Sequence, residues 1–198
     1  MHMGAHRGRR IILADDLAEA DVAECATLMN AEQVRATTAS VEIGLTREVT
    51  WHVAGGYYLH FGREHPIGVG FVFTSGPTRD GVTELTAMLQ EYFEPPSDGA
   101  LVAAVDAAVS AEHRRTALVR LGVGAPEGEV PGWASRIVTA MRADDARVRE
   151  GGLWAAAHVL WPGLLAEVES MSTTDADPLL RDQAGALAGF MRQEGIVP

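Results

Sequence analysis

Two stretches near the C-terminal end repeat one order of residue types, and this repetition constrains the fold more than any other feature. The first reads DDARVREGGLWAAAHV over residues 144–159, and the second reads DADPLLRDQAGALAGF over residues 175–190. An offset of about 32 residues aligns Asp145 with Asp177 and Arg149 with Arg181, and periods of this length are typical of stacked helical repeats. The chain is therefore expected to contain more than one copy of a helical unit.

A fainter copy precedes these two in EHRRTALVRLG, residues 112–122, where Arg114 occupies the place of the later arginines. Between the copies, apolar residues recur at helical spacing and predict one further helix in each unit. These residues are Leu101, Val105 and Val109, then Trp133, Ile137 and Met141, and finally Leu164, Leu165, Val168 and Met171. Three helix pairs would fill residues 97–194, and such units must stack to bury their apolar faces.

The repeated residues resemble the HEAT-repeat family, in which a turn aspartate and an arginine at the start of the second helix recur in each unit. The resemblance implies that Asp145, Arg149, Asp177 and Arg181 form a hydrogen-bonded ladder that ties one repeat to the next. The first copy departs from the family pattern because its turn has Ser110 and no aspartate. An unrelated bundle of five or six helices is the alternative.

The first half of the chain has a different texture. Residues 21–29 place apolar side chains at helical spacing behind Asp21, a residue that can cap a helix. Aromatic and β-branched residues then predict antiparallel strands at 47–54, 57–62 and 67–74, followed by a helix that ends before Pro95 and Pro96. The predicted class is α+β, with a small meander domain at residues 1–96 and a HEAT-like helical domain at residues 97–198.

Aromatic residues of this half carry a second resemblance. Trp51, Tyr57, Tyr58 and the run Tyr92-Phe93-Glu94-Pro95 follow an order that is similar to immunity-type domains of bacterial toxin systems. In those domains a meander with Trp and paired aromatic residues leads into a helix that ends in Phe-x-Pro. The resemblance implies a protein that binds and masks a toxin.

The histidines are the residues of this half that invite a chemical role. If Gly55-Gly56 forms a two-residue turn, Trp51 pairs with His60 and His52 pairs with Leu59, so the two histidines point to opposite faces. His65 falls in the next turn, and no Cys, Asp or Glu completes a zinc set. The sequence also lacks GxSxG, GxGxxG and P-loop motifs, so neither a metal nor a cofactor is predicted.

The charge of the chain narrows the class of partner. The net charge is −11, and all basic residues other than histidine are arginine, because the sequence has no lysine. Such acidity disfavours binding to nucleic acid or to an anionic membrane and favours a basic protein partner. No apolar run approaches the length of a membrane span, and the single cysteine, Cys25, suits a reducing compartment, so we expect a cytoplasmic protein.

These observations favour a non-enzymatic protein-binding module, such as an immunity protein or antitoxin that masks a basic toxin. Trp154, His158 and Trp161 fall on one helical stripe, which covers either the first half of the chain, the favoured reading, or a partner. In the second case they are the candidate anchors, with Asp144 and Asp175 as acidic contacts. The alternative is a small-molecule-binding protein or enzyme with a pocket between the meander and the helical array. Tyr57, Tyr58 and His60 would line that pocket. No pattern in the sequence fixes an oligomeric state.

Overall fold

An antiparallel sheet with two helices forms the first half of the chain, and a helical array forms the second. The computed structural model describes residues 6–40, 45–64 and 67–196, and the chain divides into two units, Met1–Pro96 and Ser97–Pro198. Within the described residues the strands are β1 (His6–Arg7), β2 (Ile11–Ile12), β3 (Glu32–Ser40), β4 (Leu45–Val53), β5 (Tyr57–Glu64) and β6 (Gly70–Gly76). The α+β class predicted from the sequence is thus confirmed.

The sheet has the strand order β1-β6-β5-β4-β3, with β2 also paired to β6. Its centre is the predicted meander of β4, β5 and β6. The strand β3 was not predicted, because its sequence EQVRATTAS is largely polar and small and lacks the alternation of a half-buried strand. The short strands β1 and β2 were also not predicted from the sequence pattern. The predicted turn at His65 lies outside the described residues.

The turn between β4 and β5 corrects the predicted register. Ala54–Gly56 form a three-residue turn in which Gly55 and Gly56 have positive φ angles of 78° and 81°. One additional residue in the turn moves the pairing by one position, so that His52 pairs with Tyr58 and Thr50 with His60. Directly paired residues share a face of the sheet, as do residues two apart on one strand, so His52, Tyr58 and His60 lie on the same face. The prediction that His52 and His60 point to opposite faces is therefore wrong.

Two helices, α1 (Glu19–Leu28) and α2 (Arg79–Phe93), pack on one face of this sheet. Asp21 lies in the first turn of α1, where its carboxylate accepts a hydrogen bond from the backbone N–H of Ala18, and Thr78 caps α2. The core on this face combines aliphatic and aromatic side chains from both layers, namely Ile11, Leu13, Val22, Cys25, Val49, Trp51, Val53, Leu59, Phe61, Val72, Leu89 and Phe93.

The second half contains six helices in three consecutive pairs within the described residues. They are α3 (Asp98–Ala107), α4 (Ala111–Val123), α5 (Pro131–Met141), α6 (Ala146–Val159), α7 (Leu165–Thr174) and α8 (Pro178–Gln193). Ser110, Asp145 and Asp177 cap the second helix of each pair, each accepting a hydrogen bond from a backbone N–H of the first turn. None of the described helices combines the length and apolarity that crossing a bilayer requires.

Three glycines let neighbouring helices approach closely. A Cβ atom on Gly122 of α4 would lie 2.6 Å from the Cα atom of Ala155 on α6, and one on Gly151 would lie 2.8 Å from the Cα atom of Arg115. A Cβ atom on Gly152 would lie 2.8 Å from the backbone nitrogen of Met141 at the end of α5. Backbone atoms cannot move aside as a flexible side chain does, so the lower helix propensity of glycine is offset by close packing.

Candidate functional site

Three arginines make the same local contact in the three helix pairs. Arg114 donates to the carbonyl oxygen of Ala108 at 3.1 Å, Arg149 to that of Ala143 at 3.0 Å, and Arg181 to that of Asp175 at 2.5 Å. In each case the acceptor lies six residues before the arginine. Each arginine therefore fastens its second helix to the end of the first helix, and the three pairs are built on one local plan.

Asp175 supplies a buried carboxylate that links the second and third pairs. It accepts hydrogen bonds from Arg149 Nε at 2.8 Å and from Arg149 Nη2 at 2.9 Å, and its side chain is 2% exposed. The Arg149 guanidinium holds the pKa of this carboxyl below its usual range. The predicted ladder needs a correction here, because Asp145 and Asp177 cap their own helices, and Asp175 in the preceding loop reaches the neighbouring pair.

The same burial removes Asp175 from the candidate contacts of a partner protein. Asp144 remains exposed, and its backbone carbonyl accepts a hydrogen bond from Arg149 at 2.8 Å. Both residues line an open polar groove of about 570 Å³ beside the loops that follow α5 and α7. Arg142 and Glu167 pair at this groove, with Nε to Oε2 at 2.9 Å. Charges of both signs line it, so it does not select a ligand of one sign.

The predicted stripe of Trp154, His158 and Trp161 is not one surface. The helix α6 ends at Val159, and Leu160 adopts a left-handed conformation with φ of 50°. Helical spacing therefore does not extend to Trp161, which is 2% exposed and belongs to the core of the array. Trp154 and His158 are half-buried on α6, with ring centroids 6.5 Å apart. Of the three predicted anchors, Trp161 is unavailable to a partner.

The corrected register brings the rings of His52, Tyr58 and His60 together on the sheet. The Tyr58 ring lies 5.3 Å from His52 and 6.3 Å from His60, measured between centroids. Tyr57 points to the opposite face, where its hydroxyl is 2.7 Å from Thr78 Oγ1 at the start of α2. We call the face that carries His52, Tyr58, His60 and Phe73 the second face of the sheet. Tyr57 cannot share a ligand site with Tyr58 and His60 on this face.

His60 is held as a neutral ring at the centre of the second face. Its Nδ1 atom lies 3.3 Å from Thr50 Oγ1, its Nε2 atom lies 2.8 Å from Ser75 Oγ, and the ring stacks on Phe73 at 4.3 Å. Burial is the main cause that lowers the pKa of His60 to about 4, and the positive charges of Arg7 and Arg35 contribute to this shift. A neutral imidazole with hydroxyl neighbours can donate one hydrogen bond and accept another.

A feature that the sequence did not indicate lies on the outer side of α1 and α2. Leu28, Met88 and Tyr92 are 67%, 51% and 46% exposed, respectively. The pKa of Tyr92 is raised by desolvation and by the electrostatic influence of Glu24, Cys25 and Asp21 on α1. Met88 and Tyr92 are four residues apart on α2, off the buried stripe of Val82, Leu89 and Phe93. That separation of two apolar stripes was the available sequence signal.

No protein-family model matches the chain, and no curated protein matches it. Within residues 6–40, 45–64 and 67–196, no three His, Cys, Asp or Glu side chains come together in the manner that a metal ion needs. The candidate sites therefore rest on the chemistry of the residues described above.

Proposed function

We propose that this chain is a non-enzymatic protein-binding module with a HEAT-like helical array, acting in the cytoplasm on a basic partner protein. The supporting observation is the arginine contact repeated at Arg114, Arg149 and Arg181, because a shared local contact in each helix pair is what a helical repeat would have. Stacked pairs present extended surfaces that typically bind other macromolecules. An immunity protein or antitoxin that masks a basic toxin is the form of this function that the resemblance of the first half favours.

Charge supports the choice of partner. The net charge of −11 raises the encounter rate with a basic protein and lowers it with nucleic acid. On the array, Trp154 is a half-buried aromatic anchor and Asp144 an exposed carboxylate, and together they are the remaining candidates from the sequence.

Affinity capture from the cell extract of origin, at low and high salt, tests this proposal. The bound species are identified by mass, and the dominant protein is then purified and titrated against the full chain. A basic protein whose association rate falls as salt rises is the expected result, because salt screens long-range attraction. Failure to retain any protein at either salt concentration contradicts the proposed function. A partner whose association rate does not change with salt concentration also contradicts it.

A second candidate function follows from the rings of His52, Tyr58 and His60 on the second face. We propose as the alternative that this face binds a small molecule through the exposed edges of Tyr58 and His52 beside the neutral His60. The variant Tyr58→Phe removes a hydroxyl without changing the ring, and Tyr57→Phe on the opposite face is its matched control. Retention of a small molecule by the wild type and the control, and its loss from Tyr58→Phe, is expected if this alternative holds.

A further inference from the structure

The outer surface of α1 and α2 joins exposed apolar side chains with a marked excess of carboxylates. Arg79 is the only basic side chain in residues 14–30 and 79–94. Nine acidic residues occupy the same two segments, namely Asp15, Asp16, Glu19, Asp21, Glu24, Asp80, Glu84, Glu91 and Glu94. One of them, Glu19, is neutralised by Arg47 of β4, whose Nη2 atom lies 2.6 Å from its carboxylate. The charge imbalance of the protein is strong at this surface.

The apolar side chains stand at the middle of the acidic segment of α2. Glu84, Met88 and Tyr92 succeed one another at one helical turn, and Glu91 precedes Tyr92. The Tyr92 ring packs edge-on against the buried Phe93, with centroids 4.8 Å apart, so one side of the ring is supported and 46% of the residue is exposed. A supported aromatic ring loses little conformational entropy when a partner covers it, which is the property of a binding anchor.

The neighbouring helix supplies a second apolar contact on the same side of the unit. The carboxylates of Glu24 and Asp21 on α1 act electrostatically on the Tyr92 phenol, and Leu28, exposed by 67%, follows Glu24 by one turn. Each of the two helices thus combines exposed apolar side chains with carboxylates. An apolar centre with a charged rim is the usual anatomy of a protein-binding surface.

We infer that α1 and α2 form the docking surface for a basic, amphipathic segment of the partner protein, with Met88 and Tyr92 at its centre. This inference rests on the proposed function and adds to it the surface and the chemistry of the occupant. Charge complementarity determines the occupant, since Lys or Arg side chains would pair with Glu24, Glu84 and Glu91 while apolar side chains cover Met88 and Tyr92. Leu179 and Phe190 on α8 are also exposed, but α8 carries Arg181 and Arg192 beside its carboxylates.

The full-length chain and a defined probe test the inference. The probe is a fluorescent amphipathic helix of Leu and Lys residues, about 18 residues long, and a peptide of the same composition in scrambled order measures plain charge attraction. The variant Met88→Ser/Tyr92→Ser removes the apolar centre, and Leu179→Ser/Phe190→Ser on α8 is the matched control of similar exposure. We expect fluorescence anisotropy to show at least about ten-fold weaker binding for the first variant and less than about two-fold for the second.

The charge component has its own matched pair of variants. Glu24→Gln/Glu91→Gln removes two carboxylates from the docking surface, whereas Asp182→Asn/Glu194→Gln removes two exposed carboxylates from α8. The first variant is expected to weaken the ordered peptide about five-fold at low salt and less at high salt, and the second to have a smaller effect. Thermal unfolding of all variants checks that the fold is intact.

Three outcomes would overturn the inference: no binding of the ordered peptide, equal binding of the scrambled peptide, or equal losses from the α1–α2 and α8 variants. The same variants, titrated with the protein obtained by affinity capture, separate the two proposals. A captured partner that binds Met88→Ser/Tyr92→Ser as tightly as the wild type would contradict the docking surface and leave the proposed function standing. Capture of no protein would contradict the proposed function whatever the peptide does.

Discussion

The two junctions between successive helix pairs solve one packing problem in different ways. Between the first and second pairs, α4 and α6 approach so closely that Gly122 and Gly151 are needed at the contact. Between the second and third pairs, the buried ion pair of Arg149 and Asp175 spans the gap. The first helices do not show this difference, since Asp106 pairs with Arg136 at one junction and Glu167 with Arg142 at the other.

The difference shows that a repeated local contact does not impose a repeated interface. The contact of each second-helix arginine with the carbonyl six residues earlier is internal to its own pair, and it is present in all three. The residue at that acceptor position is Ala108, Ala143 or Asp175. Only Asp175 has a carboxylate, so the second junction gains a buried ion pair through this position. The first junction instead combines the close approach of α4 and α6 with the ion pair of Arg115 and Glu150, whose Nε and Oε2 atoms lie 2.8 Å apart.

Breaking the buried ion pair of Arg149 and Asp175 should cause the largest loss of stability. Arg149→Met leaves the Asp175 carboxylate buried without its guanidinium, and removing one partner of a buried pair typically costs about 3 kcal/mol or more. Urea unfolding of the full chain, followed by tryptophan fluorescence, measures the free energy of unfolding. The control Arg147→Met breaks an exposed pair with Asp145 and should cost under about 0.5 kcal/mol. Equal losses would show that the Arg149 pair contributes no more than a surface contact.

Disturbing the close approach of α4 and α6 at the first junction should lower the stability somewhat less. Gly122→Ala adds a Cβ atom against the backbone of Ala155, and overpacking of this kind costs about 2 kcal/mol after the gain in helix propensity. Gly189→Ala in α8 is the matched control, because an added Cβ atom there meets no atom within 4 Å. The control should stabilise the array by about 0.5–1 kcal/mol. A stabilised Gly122→Ala variant would contradict the close approach of α4 and α6.

Acid should weaken the contact of Arg149 with Asp175, because the pKa of this buried carboxyl is lowered in the folded chain. The Arg149 guanidinium lowers the pKa of Asp175 in the folded chain, so the unfolded chain binds more protons once the pH falls towards the ordinary aspartate pKa of 3.8. The stabilisation is present above that value and is lost as the pH falls through the folded pKa. Asp175→Asn should therefore be clearly less stable than the wild type at about pH 5, with the gap narrowing at about pH 3.

Two controls accompany the acid experiment. Asp182→Asn makes the same change of side chain at an exposed position of α8 and is the matched control for the substitution itself. The deficit of Gly122→Ala should be the same at both pH values, because an added methyl group does not titrate. A constant gap for Asp175→Asn would mean that its amide keeps the contacts of the carboxylate and that the charge is not needed.

The sequence predicted the parts of the array that depend on local contacts. The positions of Arg149 and Arg181 follow from the period because each arginine bonds within its own helix pair. The choice between Asp175 and Asp177 did not follow, since both flank one loop and only the packing of two pairs selects the one that reaches Arg149. Trp161 was misplaced because the left-handed Leu160 ends the helix before the stripe is complete.

On the sheet, a single residue in a turn decided the outcome. The sequence contains Gly55-Gly56 in either register, but the structure includes Ala54 in the turn, and this reverses the relation of His52 to His60. The spacing of Val82, Leu85, Leu89 and Phe93 predicts one apolar face of α2, and the structure buries Val82, Leu89 and Phe93. Met88 and Tyr92 lie outside this face, and no role was predicted for their exposure from the sequence.

The smallest effect on stability should come from introducing the equivalent of Asp175 at the first junction. Ala143→Asp places a carboxylate at the position equivalent to Asp175. If the two junctions were identical, Arg114 would reach this carboxylate as Arg149 reaches Asp175. Because α4 and α6 already meet at Gly122 and Gly151 and Arg114 is exposed, we expect the stability to change by less than about 1 kcal/mol. A double-mutant cycle with Arg114→Met should give a coupling energy near zero, whereas the cycle of Arg149→Met with Asp175→Asn should give a large one. Similar coupling energies in the two cycles would mean that the identity of one loop residue, and not the spacing of the helices, determines how the pairs are joined.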